Sequence, residues 1–394
     1  MSEKAKNPHA YLTDPLQVEA VDSLTRLDDA GHLYHMNTRW NYYQIPEAFK
    51  PLFAAGCSVF VTKNPEGDVL FCRSYDYTHF KNNDRANNPR TGINVVTHCQ
   101  SPAAKFKSVG VADAFWLDHR HGSYAEGCFD DGVTDISPVV MVPHICMDGL
   151  NEQGLCICIL ALPVEAEWTE IDYAKAEEMK DPFKRNFELT EPGEVPTPTF
   201  GWAGAGSITV NTADKKAWVA SVGLRHTTNP GKQTVLHTTL MRIILDNCTT
   251  VDEAVAYAST MNVTAPAPGM DFHIMIADAT GKSRLLEWRG NEMRVEDVDH
   301  ATNFFLSKNL EGVEDKFGLG KDRYDVIDAA MRRFTTCMTE ETAENLLQLV
   351  CQDPNNGTDK GKTQWSCVYN LTKKTVKLFS WGDFSRSWEF TVEE

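Results

Sequence analysis

The chain has 394 residues, 42% of them hydrophobic, and a formal net charge of −17. That length allows two or three domains or one large α/β domain, with ample apolar material for a buried core. The acidic balance excludes the basic footprint of a nucleic-acid binder and argues against an anionic membrane surface as partner.

The start, MSEKAKNPHAYLTDP, lacks a signal peptide's apolar core, and no later window is apolar enough to span a membrane. A cytoplasmic protein is expected. Eleven cysteines, an odd number without a compact framework, fit that expectation. Most should be small buried residues, like Cys156 and Cys158 alternating within an apolar run.

Asp14-Pro15 reads as a cap and a first-turn proline, opening a helix through LQVEAVDSLTRLDD that stops at Gly31. Aromatic WNYY (Trp40 to Tyr43) and a short helix over 46–54 follow. At Gly56-Cys57 the pattern turns to β. SVFVTK and DVLFCRSYDY flank the turn Asn64-Pro65-Glu66-Gly67 and read as a hairpin. Strands are predicted over 137–143 (SPVVMVP) and 155–163 (LCICILALP), split by a turn over 148–154. The stretch 165–200, acidic and then proline-rich, reads as a surface insertion or lid.

Strands near SITVNT and AWVASVG precede helices over 235–247 and 251–261. Thr250 and Glu253 form a capping box for the second helix. FHIMIADA and RLLEWR read as strands around Thr280-Gly281-Lys282. Helices over 321–334 and 340–351, then strands WSCVYNL and TVKLFSW, finish the pattern. The aromatic WGDFSRSWEF (381–390) reads as a core or interface strand. Long strands on either side of central helices predict an α+β chain of two sheets with helices outside.

The chemistry concentrates at Cys57. The hairpin brings Arg73 and Asp76 back beside it, and a fixed cation near a thiol favours the nucleophilic thiolate. Spacing alone favours an ordinary Arg73–Asp76 ion pair at a strand end. Tyr75 and Tyr77 alternate with Asp76, so one face of that strand is aromatic, either lining an acyl pocket or packing. Other candidates are weaker. His119 and His121 lack the third ligand of a zinc site. The glycines Gly201, Gly204 and Gly206 precede a strand rather than open a helix, which excludes the dinucleotide reading. His79 lacks the local signature of a papain-like partner, and no G-x-S-x-G occurs.

Five segments share a wider likeness: GCSVFVTKNPEGDVLFCRSYDY, DGLNEQGLCICILALP, FHIMIADATGKSRLLEW, DHATNFFL and KDRYDVI. In this order they resemble the choloylglycine hydrolase and penicillin V acylase family, linear-amide C–N hydrolases of the N-terminal-nucleophile superfamily. They are also similar to isopenicillin N acyltransferases and N-acylethanolamine amidases. The resemblance implies a four-layer αββα sandwich. It implies that residues 1–56 are a leader cut away, leaving a single amidohydrolase domain over 57–394 with the 165–200 insertion. Cys57 would be the nucleophile and its freed α-amine the general base, a group whose ordinary pKa suits neutral pH. Arg73 and Asp76 match residues beside the nucleophile, Asn303 an oxyanion donor, and Arg323 a later site arginine.

The resemblance further implies cleavage of a small-molecule N-acyl amide through a thioester, with no cofactor or metal. Homo-oligomers are common among such enzymes. Gly56 offers an unhindered carbonyl for the N-to-S shift that would free Cys57. Ala161 departs from the Asn or Tyr usual at its position. Only its backbone N–H can serve an oxyanion, so neither bile salts nor penicillin V are implied. The alternatives are an acyltransferase using an amine acceptor, and an unprocessed, non-catalytic relative that binds acyl amides.

Overall fold

A computed structural model describes residues 12, 14–44, 56–77, 79–80, 89–90, 92–117, 127–162, 165–178, 187–189, 191–195, 199–200, 208–221, 229–264, 271–289, 292–313, 319–335, 337–352 and 363–393. The short helix expected over 46–54, His119, His121 and the 201–206 glycines lie outside these residues.

Two large sheets face each other. The nine-stranded sheet runs, in spatial order, Thr25–Arg26, Leu33–Thr38, Asn94–Cys99, Ser108–Asp113, Cys146–Asn151, Cys156–Leu162, Asp271–Ala277, Ser283–Arg289 and Glu292–Glu296. The six-stranded sheet runs His300–Ala301, Gly56–Lys63, Val69–Asp76, Thr363–Asn370, Thr375–Ser380 and Trp388–Thr391. Helices His237–Asn247 and Val251–Ala258 cover the first sheet; Lys321–Arg333 and Glu340–Val350 cover the second. This is the expected four-layer αββα arrangement.

Period-2 alternation decides which side chains meet. In the Gly56–Lys63 strand, Cys57, Val59 and Val61 enter the core between the sheets. Phe60, with Leu70 and Cys72 of the next strand, packs against the outer helices. Nine of the eleven cysteines are buried, as their placement in apolar runs predicts. No helix among the described residues is long and apolar enough to cross a membrane.

Several local expectations are corrected. The first helix ends at Asp22, and Leu33–Thr38 instead forms a strand parallel to Asn94–Cys99. SPVVMVP is a 3₁₀ stretch, Ser137–His144, in keeping with its two prolines, which cannot donate to a ladder. The 165–200 insertion carries secondary structure of its own. Glu165–Ile171, Phe187–Leu189 and Thr199–Phe200 join Ile208–Asn211 and Lys216–Ser221 in a separate five-stranded sheet. Of the aromatic segment over 381–390, only the end enters a strand, Trp388–Thr391, while Trp381 occupies a turn at φ 52°. The capping box is half-made as expected. Thr250 Oγ1 accepts from Glu253 N (3.2 Å), but the Glu253 carboxylate reaches back to Thr249 N (2.7 Å).

The segment before Cys57 is woven into the fold. Leu33, Tyr34, Met36, Trp40 and Tyr42 are buried, and Tyr42 and Tyr43 hydroxyls donate to Asp246 (3.1 and 2.8 Å). Asp246 also pairs with buried Arg242 at 2.5 Å. His144 Nε2 meets the Tyr42 carbonyl, and His35 Nε2 meets His98 Nδ1 at 2.8 Å. Burial pushes both His35 and His144 down to about 4, with His98 adding to the effect at His35 and Arg242 at His144.

Both folded values lie below the ordinary 6.5. The unfolded chain therefore binds more protons across that window, and stability is lost as pH falls from about 6.5 toward 4. A thermal-unfolding series should show the midpoint dropping over this interval, and His35→Gln should flatten part of the dependence.

Candidate active site

Cys57 is fully buried at the start of its strand, directly opposite Tyr75. Its Sγ accepts from Arg73 Nη2 at 3.1 Å and lies 3.4 Å from the Ile159 carbonyl. Its backbone N–H donates to Asn303 Oδ1 at 2.9 Å, and its carbonyl accepts from Arg323 Nη1 at 2.7 Å. Each polar atom of the residue is thus gripped from a different element. The expected thiolate does not follow in this intact chain. Burial pushes the Cys57 thiol up to about 11, outweighing the opposing pull of Arg73. Burial therefore favours the neutral thiol.

Arg73 crosses between the sheets. Its Nε pairs with Asp148 Oδ2 at 2.7 Å, both side chains being completely buried, and Nη2 also donates to the Ile159 carbonyl at 2.9 Å. Burial alone would lower its pKa, but the Asp148 carboxylate keeps the guanidinium charged. Tyr75 and Trp365 rings flank the cation at 5.2 and 5.8 Å. Asp148 also accepts from Trp365 Nε1 (2.9 Å) and the Tyr369 hydroxyl.

Sequence reasoning missed Asp148, which sat in a stretch read as a turn. Its signal is a carboxylate inside an apolar neighbourhood, and such groups are rarely buried without a partner. Asp148→Asn strips the counter-charge from a buried cation. We expect a stability loss of about 3–5 kcal/mol, read in denaturant unfolding.

Asp76 and Arg73 do not pair. They alternate on the strand, so Arg73 faces the inter-sheet core and Asp76 the opposite side. There Asp76 accepts from Arg323 Nη1 (3.2 Å), Thr363 Oγ1 (2.6 Å) and Gln352 Nε2 (3.2 Å). Burial raises its pKa, while Arg323 and these hydrogen bonds pull the other way. Register places Gly56 directly opposite Asp76. Arg323, from the first turn of the Lys321–Arg333 helix, also reaches Ser58 Oγ (2.5 Å) and Asn303 Oδ1 (2.8 Å). Gly320 precedes it at φ +78°, and a Cβ there would lie 2.5 Å from Arg323 Nη2. Only glycine fits both the backbone and the guanidinium.

Asn303 is oriented without ambiguity. Its Oδ1 receives two donors, Cys57 N and Arg323 Nη2, so its Nδ2 is the donor, to the Ala161 carbonyl at 2.8 Å. The Cys156–Leu162 strand runs past the end of its pairing with Cys146–Asn151, which leaves the carbonyls of Ile159 and Ala161 to meet Arg73 and Asn303. Tyr75 is fully buried, its hydroxyl held between Asp113 (3.0 Å) and Trp116 Nε1 (3.0 Å), its ring stacked on Trp365 at 4.1 Å. Half-buried Tyr77 tilts against Phe115 and Trp116. Cys57, Arg73, Asp76, Asn303 and Arg323 therefore converge, with Ala161 and Tyr75 at their edge.

Residues 218–385 match the model of the family described as acyl-coenzyme A:6-aminopenicillanic acid acyl-transferase. The match includes Asn303 and Arg323 and begins well after Cys57. It accords with the resemblance read from the sequence. Among solved structures, the chain is similar to a variant of conjugated bile acid hydrolase from Clostridium perfringens at 15% identity. That likeness covers 86% of this chain and 92% of the other, with a TM-score of 0.48. Penicillin V acylase from Agrobacterium tumefaciens is similar at 13% identity over 82% of this chain and 83% of the other, with a TM-score of 0.44. No curated protein matches the chain. Likenesses this distant assign no role to any residue.

Proposed function

We propose that the chain is a cysteine amidohydrolase that cuts its own Gly56–Cys57 bond and then cleaves the linear amide of a small N-acyl substrate. The observation that carries this reading is the grip on Cys57: Asn303 on its nitrogen, Arg323 on its carbonyl and Arg73 on its sulfur. Any buried residue needs partners for its backbone N–H and C=O, but side-chain partners on both, together with a guanidinium on the sulfur, suit a residue whose nitrogen becomes a base and whose sulfur becomes a nucleophile.

In the first step Sγ attacks the Gly56 carbonyl. The C–N bond to Cys57 breaks, a thioester forms, and the thiol proton passes to the departing nitrogen. Water then hydrolyses the thioester and frees the α-amine. In turnover that amine, held by Asn303 Oδ1, takes the thiol proton at neutral pH. Arg73 stabilises the thiolate. The attacked carbonyl becomes an oxyanion met by the Ala161 N–H and by the second hydrogen on Asn303 Nδ2. The leaving amine takes the proton from the α-amine, and water resolves the acyl-enzyme. Asp76 and Arg323 fix the strand end where the new terminus lies.

The buried N-terminal segment implies that cutting does not release it. Residues 14–44 should stay bound through the Leu33–Thr38 strand and the Tyr42, Tyr43 and Asp246 contacts. Intact mass under denaturing conditions should give two fragments meeting at Gly56 and Cys57, which co-elute as one species in native size exclusion. A single uncut chain without turnover of any acyl amide would leave the non-catalytic, acyl-amide-binding alternative standing.

A second reading, transfer of the acyl group to an amine, is favoured by the description of the matching family. Turnover with a primary amine added separates the two, since transfer yields the new amide and hydrolysis the free acid.

A further inference from the structure

His273 and Glu287 sit directly across from each other on adjacent strands, one position beyond the Ile274–Leu286 pairing. They share the face of Met275 and Leu285, which is turned to the other sheet, and both are completely buried. His273 Nδ1 meets Glu287 Oε1 at 2.9 Å, and Nε2 meets the Thr302 carbonyl at 2.7 Å. The same carboxylate accepts Leu306 N at 2.8 Å and Ser307 N at 2.9 Å. Burial would raise Glu287, but its bonds from His273 and Ser307 hold it below the usual carboxylate range. Both ring nitrogens of His273 therefore face acceptors, the Glu287 carboxylate on one side and the Thr302 carbonyl on the other.

These bonds hold the chain on either side of Asn303: Thr302 before it, Leu306 and Ser307 after it. The far side is tied by Asn303 N to the Leu319 carbonyl (3.2 Å) and Thr302 Oγ1 to the Gly320 carbonyl (3.0 Å). We propose that His273 and Glu287 are positioning residues, a buried clamp that sets the Asn303 amide for its work on Cys57 and the oxyanion; this rests on the function proposed above. A buried ion pair is weak evidence for stability, because apolar residues of like volume often serve as well. Placement of a reacting group is what such a clamp adds, since small misplacements cost about 10²-fold in rate.

The test uses the full chain and the variants His273→Gln and Glu287→Gln. Ring-¹⁵N-labelled histidine in the wild type should show one imidazole, absent in His273→Gln, with protons on both nitrogens. The Asn303 side-chain amide resonance should shift in both variants. In steady-state assays of the cut enzyme, kcat should fall about tenfold to a hundredfold with KM changed less than about twofold. A His273 ring with one bare nitrogen, an unmoved Asn303 resonance, or a lowered melting temperature with unchanged kcat would each overturn the clamp. Should the wild type turn over no acyl amide at all, the function fails, while the two resonance measurements still decide the clamp.

Discussion

Replacing Cys57 with alanine is expected to leave the chain uncut at Gly56–Cys57 and to lower amide turnover by at least about 10⁴-fold, the scale on which removing a nucleophile acts. In the proposed mechanism both losses would have one cause, since the same sulfur attacks first Gly56 and then substrate. The variant should still fold, because the side chain is small and Arg73 keeps Asp148 and the Ile159 carbonyl as partners. Mass spectrometry reads the cut, and a melting curve checks folding. Cys57→Ala cut normally, or active at wild-type rate, would remove Cys57 from the chemistry. An acyl-enzyme adduct trapped at Cys57 in the wild type supplies the positive counterpart.

Asn303→Ala is expected to lower kcat about 10²–10³-fold, the typical effect of losing one oxyanion donor. Two functions are merged in that side chain. Oδ1 holds the Cys57 nitrogen and Arg323, while Nδ2 donates. Asn303→Asp separates them, keeping the acceptor and losing the donor. If the donor matters in turnover, Asn303→Asp should be as slow as Asn303→Ala in kcat. If holding the amine dominates, Asn303→Asp should recover most of the rate. Full activity in both variants would end the assignment of Asn303 to the site.

Several site residues were legible one at a time, but their pairing was not. Arg73 and Asp76, three apart on one strand, point to opposite faces, so each finds its partner elsewhere: Asp148 for one, Arg323 for the other. The direction of the thiol's pKa was likewise out of reach. A nearby cation argues for a lowered value, yet complete burial outweighs it and sets about 11. His273 and Glu287 appeared only as members of two ordinary strands, since a cross-strand contact depends on register.

By itself the sequence determined the local elements with strong periodicity: the hairpin after Gly56, the Cys156–Leu162 strand, the paired strands around Gly281 and the last two helices. Hydrophobic period and turn chemistry act over a few residues, so they survive without the rest of the chain. The tertiary structure alone decided that the segment before Cys57 supplies a strand to the nine-stranded sheet, that the 165–200 stretch builds a sheet with later strands, and which charges meet in the core. Those outcomes depend on long-range pairing and on the exclusion of water, which no short window of sequence contains.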